Sequence, residues 1–266
     1  MTENQPGIST DPEKVFFVDK LRVEIHAGRP EVGRAAAGHI SGYLNRTIAE
    51  NGAVRAIFAS APSQNEFLDN LALDSSIDWA KVTAFHLDEY LGLAGDAPQT
   101  FGTYLRERLF NRITGVQVHY LDGAATDPAG ECRRYSRLLA EAAVDLSILG
   151  IGENGHIAFN DPPLADFNDP EKVRVVDLDE ISRVQQVNDG CFPTLDVVPR
   201  QALTVTIPVM MAAKKIVAIV PGPTKAKAIY ATLTGPISPL CPASILRQHP
   251  AATLLIDRAS AALLGI

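Results

Sequence analysis

Short apolar runs of strand length recur along this chain, separated by stretches whose apolar residues are spaced by three and four. The clearest runs are Leu21-Arg-Val-Glu-Ile25, Val54-Arg-Ala-Ile-Phe-Ala59, Val82-Thr-Ala-Phe-His-Leu87, Val144-Asp-Leu-Ser-Ile-Leu149, Lys215-Ile-Val-Ala-Ile-Val220 and Thr253–Asp257. Helical spacing covers Glu31–Glu50, Thr100–Phe110, Pro128–Ala142 and Lys225–Thr234, with a short helix near Ala243 and a last one at the C-terminus. Ser63-x-x-Glu66 reads as a capping box that opens a helix through Leu71. Val118–Leu121, Lys172–Asp177 and Ala202–Ile207 read as extended, the last two joined by a polar segment. Strands that alternate with helices predict an α/β fold: a mostly parallel central sheet with helices on both faces.

The 266 residues are 46% hydrophobic, enough for a substantial core. No repeat or linker divides them, so residues 20–266 read as one domain and the polar residues 1–19 as a loosely ordered arm. A net charge of −7 argues against a polyanion-binding surface and against nucleic acid as a partner. The three cysteines are too scattered for a disulfide framework or a CxxC metal site, and His86, His119, His156 and His249 show no HxxxH spacing. No metal is expected. The N-terminus lacks an apolar leader and no run reaches the roughly 18 residues of a membrane helix, so a cytoplasmic protein with no membrane contact is expected.

The most distinctive segment is Leu149-Gly-Ile-Gly-Glu-Asn-Gly-His-Ile-Ala-Phe-Asn-Asp-Pro-Pro163. Gly150-x-Gly152-x-x-Gly155 matches the dinucleotide fingerprint, and Asp177 lies about 22 residues further on, a spacing that suits a ribose-binding acid. That fingerprint needs a helix to start at its third glycine. Asn160-Asp-Pro-Pro163 stops any such helix, because residues before proline avoid the helical region. The segment reads instead as the lip of an active site in which His156 and Asp161 can move protons.

Ligands of an open parallel sheet bind beyond the carboxyl ends of its strands. Ser60–Gln64, Asp88–Tyr90, Gly150–Asp161 and Pro221–Lys225 all fall at such ends. Asp88 is a candidate for removing a proton next to a carbonyl or imine. It is expected to share a face with His86, while Glu89 points elsewhere. Asn154 and Asp161 are placed to orient the His156 ring. Lys225 and Ser63 lie at helix starts, where backbone N–H groups favour an anion.

Phe85-His-Leu-Asp-Glu-Tyr-Leu-Gly-Leu93 and Gly150-Ile-Gly-Glu-Asn-Gly-His-Ile-Ala-Phe-Asn-Asp161 resemble the two signature segments of the glucosamine-6-phosphate deaminases. Ala202-Leu-Thr-Val-Thr, Pro-Gly-Pro-Thr-Lys225 and His249-Pro250 extend the resemblance over about Val54–Asp257. It implies a Rossmann-like fold and a cofactor-free hydrolase that isomerises and deaminates a phosphorylated amino sugar, glucosamine 6-phosphate, to fructose 6-phosphate and ammonia. The resemblance assigns Asp88 to proton transfer between C2 and C1 through an enolamine, and His156, supported by Asn154 and Asp161, to ring opening. It assigns substrate and phosphate binding to Ser63, Gln64, Gly155 and Lys225, with Arg183 as a further anion contact. Asn154 stands where some members carry Asp and Asp161 where Glu is usual. The loop Ser60-Ala-Pro-Ser-Gln-Asn-Glu66 lacks the family's glycines. A 6-phosphogluconolactonase, a non-catalytic phosphosugar sensor, a galactosamine 6-phosphate preference and a homo-oligomer all stay open at this point.

Overall fold

The computed structural model describes residues 11–265. In chain order they form β1 (Lys14–Val18), β2 (Leu21–His26), α1 (Arg29–Asn51), β3 (Val54–Phe58), α2 (Asn65–Ala72), β4 (Val82–His86), β5 (Asp88–Tyr90) and α3 (Phe101–Leu105). Next come β6 (Gln117–His119), α4 (Pro128–Ala140), β7 (Leu146–Leu149), β8 (Val173–Asp177), α5 (Glu180–Asn188), β9 (Gln201–Val205) and α6 (Ile207–Met211). The chain finishes with β10 (Lys215–Val220), α7 (Ala226–Thr234) and β11 (Ala252–Asp257).

The central sheet is eight-stranded, in the order β1-β2-β11-β10-β7-β3-β4-β6, and every pairing except β1 with β2 is parallel. This is the expected Rossmann-like α/β architecture. Alternating side chains feed two cores, as a doubly covered sheet requires. On β10, Val217 and Ile219 face a core built with Ile40 and Leu44 of α1 and Phe67 and Leu71 of α2. Ile216, Ala218 and Val220 face the other core, with Tyr135 and Leu139 of α4 and Ile229 of α7. The strand order runs outward from β3 to β6 on one side and from β7 to β11 on the other. The switch point therefore lies between β3 and β7, where a crevice opens at the carboxyl edge.

Several local expectations give way. Lys14–Val18, expected in the loose arm, pair antiparallel with β2, while residues 1–10 of that arm lie outside the described residues. Ser63 does not cap α2: Pro62–Gln64 form a 3₁₀ turn, and α2 starts at Asn65 with no side-chain cap. The polar segment after β8 holds a helix, α5, capped by the Asp179 carboxylate, which accepts from the Ile181 N–H. Residues 258–264 form turns rather than a final helix. Thr100–Phe110 begins as α3 and then widens into a π-helical turn over Arg106–Phe110.

The strands β5, β9 and β8 leave the parallel arrangement and form a separate three-stranded antiparallel sheet. Tyr90, Phe101, Phe159 and Phe192 pack around it as a small aromatic core. Among the described residues, no helix is long and apolar enough to cross a membrane.

Candidate active site

A cavity enclosing about 490 Å³, part of it open to solvent, lies over the switch point. Its walls include Ser60 and Ser63 after β3, Gly150–Gly152 and His156 after β7, Asp88 of β5, Gln185 and Gln186 of α5, and Lys225 after β10. The four strand-end segments singled out in the sequence thus meet in one place.

The loop after β7 is built around His156. Its second glycine is required because the imidazole lies directly over it. A Cβ on Gly152 would come within 2.1–2.4 Å of three ring atoms. The Gly152 N–H donates to the His156 carbonyl at 3.0 Å, closing the turn. Asn160 Nδ2 donates to the Ile157 and Val205 carbonyls, both at 2.9 Å, and the Phe159 N–H donates to Thr204 Oγ1, so the loop is fastened to β9. Ala158 takes a left-handed φ of +49° inside that tight turn.

His156 Nδ1 lies 2.9 Å from Asp161 Oδ1 and 3.0 Å from Ser182 Oγ. The Ser182 hydroxyl also donates to Asp161 Oδ1 at 2.5 Å, and Asn154 Nδ2 donates to the same oxygen at 3.1 Å. Asn154 Oδ1 accepts from the His156 N–H at 3.0 Å. A carboxylate partner keeps the proton on Nδ1 and leaves Nε2 for the cavity. Burial alone would raise the Asp161 carboxyl, but the hydrogen bonds from His156, Ser182 and Asn154 outweigh it and hold it at about 2. Asp161 thus contacts the ring directly, while Asn154, expected to orient the ring, bonds the His156 backbone and the Asp161 carboxylate instead. Ser182 joins them from a segment that carries no sequence sign of it beyond an acidic N-cap.

Asp88 opens β5, opposite Thr204 of β9, and is 7% exposed. Its carboxyl is pushed well above the usual range, first by burial, then by the charges of Glu89 and Asp161; the Phe159 N–H opposes this. The expected shared face with His86 does not form, because the chain turns at Leu87 from the parallel sheet into the antiparallel one. His86 is sealed between Tyr120 and Tyr135 and accepts the Leu121 N–H at Nε2. Burial, with Arg106 nearby, drops its pKa to about 3, so it stays neutral. Glu89 does point elsewhere. Its carboxylate accepts the N–H groups of Tyr90, Phe101 and Gly102, and burial lifts it to about 7 despite those bonds.

At the opposite wall Lys225 ends the 3₁₀ turn Pro223–Lys225 that leads into α7. It is 7% exposed, burial lowers its pKa, and its ammonium has no hydrogen-bond or ion-pair partner among the described residues. Gly222 takes φ +105° there, and its N–H is held by both oxygens of the Asp257 carboxylate at 3.0 and 3.1 Å. Ser63 lines the cavity. Gln64 does not: its Nε2 donates to Ser63 Oγ at 2.9 Å and to the Ile219 carbonyl at 3.1 Å, leaving the serine proton free for a ligand.

Besides Gln64, two more of the expected binding residues are otherwise engaged. The Gly155 N–H donates to the Gly152 carbonyl and its own carbonyl accepts from Ala243, so its φ of +86° shapes the loop and offers no donor to an anion. Arg183 donates to the Leu195 and Val198 carbonyls and does not line the cavity. Gln185 and Gln186, unremarked in the sequence, take places on the wall. Gln186 Oε1 accepts the Tyr90 hydroxyl at 2.6 Å, while Gln185 Oε1 accepts the Glu153 N–H at 3.0 Å. No cluster of potential metal ligands forms among the described residues.

A buried carboxylate, an aspartate-paired histidine and an unpaired lysine at the switch point of a Rossmann-like sheet place the chain among the α/β proteins whose candidate site lies at the carboxyl edge of the strands. The chain belongs to the family described as glucosamine-6-phosphate isomerases/6-phosphogluconolactonase, whose profile matches residues 28–255. A glucosamine-6-phosphate deaminase of Clostridium acetobutylicum is 38% identical over 200 residues, covering 74% of this chain and 81% of that protein. One of Listeria monocytogenes is 36% identical over 214 residues, covering 80% and 89%. A solved monomeric glucosamine-6-phosphate deaminase superimposes with a TM-score of 0.82 at 33% identity, over 91% of this chain and 99% of its own. A 6-phosphogluconolactonase of Shewanella baltica shares the fold, with a TM-score of 0.75 at 15% identity over 91% and 100%.

Proposed function

We propose that this protein converts glucosamine 6-phosphate and water into fructose 6-phosphate and ammonia. The observation that carries the reading is that Asp88 of the antiparallel sheet and His156 of the loop after β7 line one cavity with the unpaired Lys225 on its wall. Relatives that bear the deaminase name over most of their length support it.

Lys225 and the Ser63 hydroxyl hold the 6-phosphate, and that remote binding energy positions C1 and C2. His156 Nε2 carries a proton from the C1 hydroxyl to the ring oxygen, and the pyranose opens to an aldehyde. The Asp161 carboxylate stabilises the imidazolium formed on the way. The aldehyde acidifies C2; Asp88 takes the C2 proton while the C2 ammonium passes one of its own protons to O1, giving an enolamine. Returned to C1, the same proton yields a C2 iminium. Water adds at C2 and ammonia leaves, giving the ketose. The core step is an isomerisation, and the final one is hydrolytic. Burial makes Asp88 a stronger base than a surface aspartate, which suits abstraction from carbon.

Purified protein incubated with glucosamine 6-phosphate should release ammonia and fructose 6-phosphate in equal amounts. Absence of both would sink the proposal. Hydrolysis of 6-phosphogluconolactone, run in parallel, separates the lactonase alternative, which needs no base for a carbon acid. Substitution of galactosamine 6-phosphate in the same assay reads the epimer preference.

A further inference from the structure

Arg29 is an unusual first residue for a helix. It opens α1, where the helix dipole disfavours a cation, and no side chain caps that terminus. Because α1 follows β2, Arg29 sits at the carboxyl edge of the sheet, the same edge as the cavity. Its guanidinium has five N–H donors. Nε donates to Glu66 Oε1 at 2.9 Å, and Nη2 donates to Glu66 Oε2 at 2.9 Å and to the Pro62 carbonyl at 2.8 Å. The Pro62 bond ties it to the 3₁₀ turn that carries Ser63.

The two hydrogens on Nη1 have no acceptor among the described residues. Nη1 lies against Gly222, 3.6 Å from where a Cβ of that residue would stand, at the start of the turn that carries Lys225. Arg29 is thus bonded to the loop of Ser63 and lies beside that of Lys225, next to the cavity wall rather than on it, with one donor pair unused. Lys225, more than nine-tenths buried and unpaired on the cavity wall, independently marks the place as built for an anion. Glu66 fixes the guanidinium plane from behind. Gly33 lets α1 approach this carboxylate, since a Cβ there would fall 2.4 Å from Glu66 Cβ.

We propose that Arg29 is a second cationic ligand of the substrate phosphate, donating from Nη1 while Lys225 supplies the other charge. This rests on the phosphosugar reading of the cavity and deepens it. It also accounts for a phosphate loop without glycines: a guanidinium from α1 supplies donors that a glycine-rich loop would offer from its backbone.

The test titrates inorganic phosphate into wild type, Arg29→Met and Arg29→Lys by calorimetry, and measures kcat and KM on glucosamine 6-phosphate. Arg29→Met should weaken phosphate binding about tenfold or more and raise KM comparably, with kcat within about threefold. Arg29→Lys should fall between, since it keeps a charge but cannot fork between Glu66 and the phosphate. Phosphate affinity within about twofold of wild type in Arg29→Met, or a fall in kcat with phosphate affinity intact, would overturn the proposal. If Arg29→Met does not fold, Arg29→Lys decides: affinity equal to wild type overturns it. The titration needs no turnover. A wild type that binds phosphate but releases no ammonia therefore defeats the deaminase reading without touching this one.

Discussion

The His156 imidazole rests on the Cα of Gly152 so closely that a single added methyl would meet Cε1 at 2.1 Å, Nε2 at 2.3 Å and Nδ1 at 2.4 Å. The ring cannot retreat without breaking its contacts with Asp161 and Ser182. Gly152→Ala should therefore displace the His156 ring while the sheet behind it stays folded. A displacement of about 1 Å costs on the order of 100-fold in kcat. Steady-state kinetics beside a thermal melt check this, and a fully active Gly152→Ala would refute the geometry.

In the proposed reaction Asp88 must be ionised to accept the C2 proton, and burial with the charges of Glu89 and Asp161 pushes its carboxyl well above the usual range. The rate should therefore rise with pH through that elevated value. Glu89→Gln removes one of the raising charges, so the acid limb of kcat/KM should move to lower pH. Asp88→Asn should lower kcat by about 10²–10⁴-fold while leaving the affinity for inorganic phosphate near that of wild type. An acid limb unmoved in Glu89→Gln would show that the two carboxyls are not coupled.

Glu89 also sets a stability trend. Burial, the largest influence, raises its carboxyl from 4.5 to about 7. Between those values the native state holds a proton that the unfolded chain has released, so stability falls as pH rises across the window. Glu89→Gln should flatten that slope. Denaturant midpoints measured at about pH 5 and about pH 7 read it directly, and an identical slope in the variant would contradict the assignment.

Ser182→Ala deletes the hydroxyl that bonds both Asp161 Oδ1 and His156 Nδ1. The expected cost is about 1 kcal/mol of stability and about tenfold in kcat. Asp161, held near 2 by its hydrogen bonds, contributes stability above 3.8 that is lost as pH falls towards 2. The variant should lose that contribution at a higher pH than wild type, measurable by acid unfolding.

Lys225→Met replaces a buried, unpaired ammonium with an apolar side chain of similar length. A charge-assisted hydrogen bond is worth about 1.5–3 kcal/mol, so KM for the phosphorylated sugar should rise about 10–100-fold with a smaller change in kcat. Comparable losses in kcat and KM would mean that the lysine touches the reacting carbons rather than the phosphate.

The parallel sheet was legible because β3, β4, β7, β10 and β11 are locally apolar, and a run that must be buried on both faces declares itself without help from distant residues. The Gly150–Pro163 loop was legible for a similar reason: its glycines, histidine and prolines restrict the backbone from within. Asp88, His156, Ser63 and Lys225 all follow from those strand ends.

What the local pattern could not reveal depends on partners far along the chain. Helix α5 is polar, and only its packing against the cavity gives Ser182, Gln185 and Gln186 their places. The small antiparallel sheet exists because Asp88–Tyr90 pair with residues more than a hundred positions away, and that pairing turns Asp88 into the cavity and leaves His86 behind. Arg183 looked available for an anion until the turn at Leu195–Val198 supplied its carbonyls. Arg29 carries no local mark at all, and only the approach of Pro62, Glu66 and Gly222 gives it a place. Sequence alone determined the apolar strands of the parallel sheet and which of their ends gather at the cavity, since backbone restriction and hydrophobicity are local. Tertiary structure alone decided which polar side chains face the cavity, because a hydrogen-bonding group goes to whichever partner the fold brings within about 3 Å.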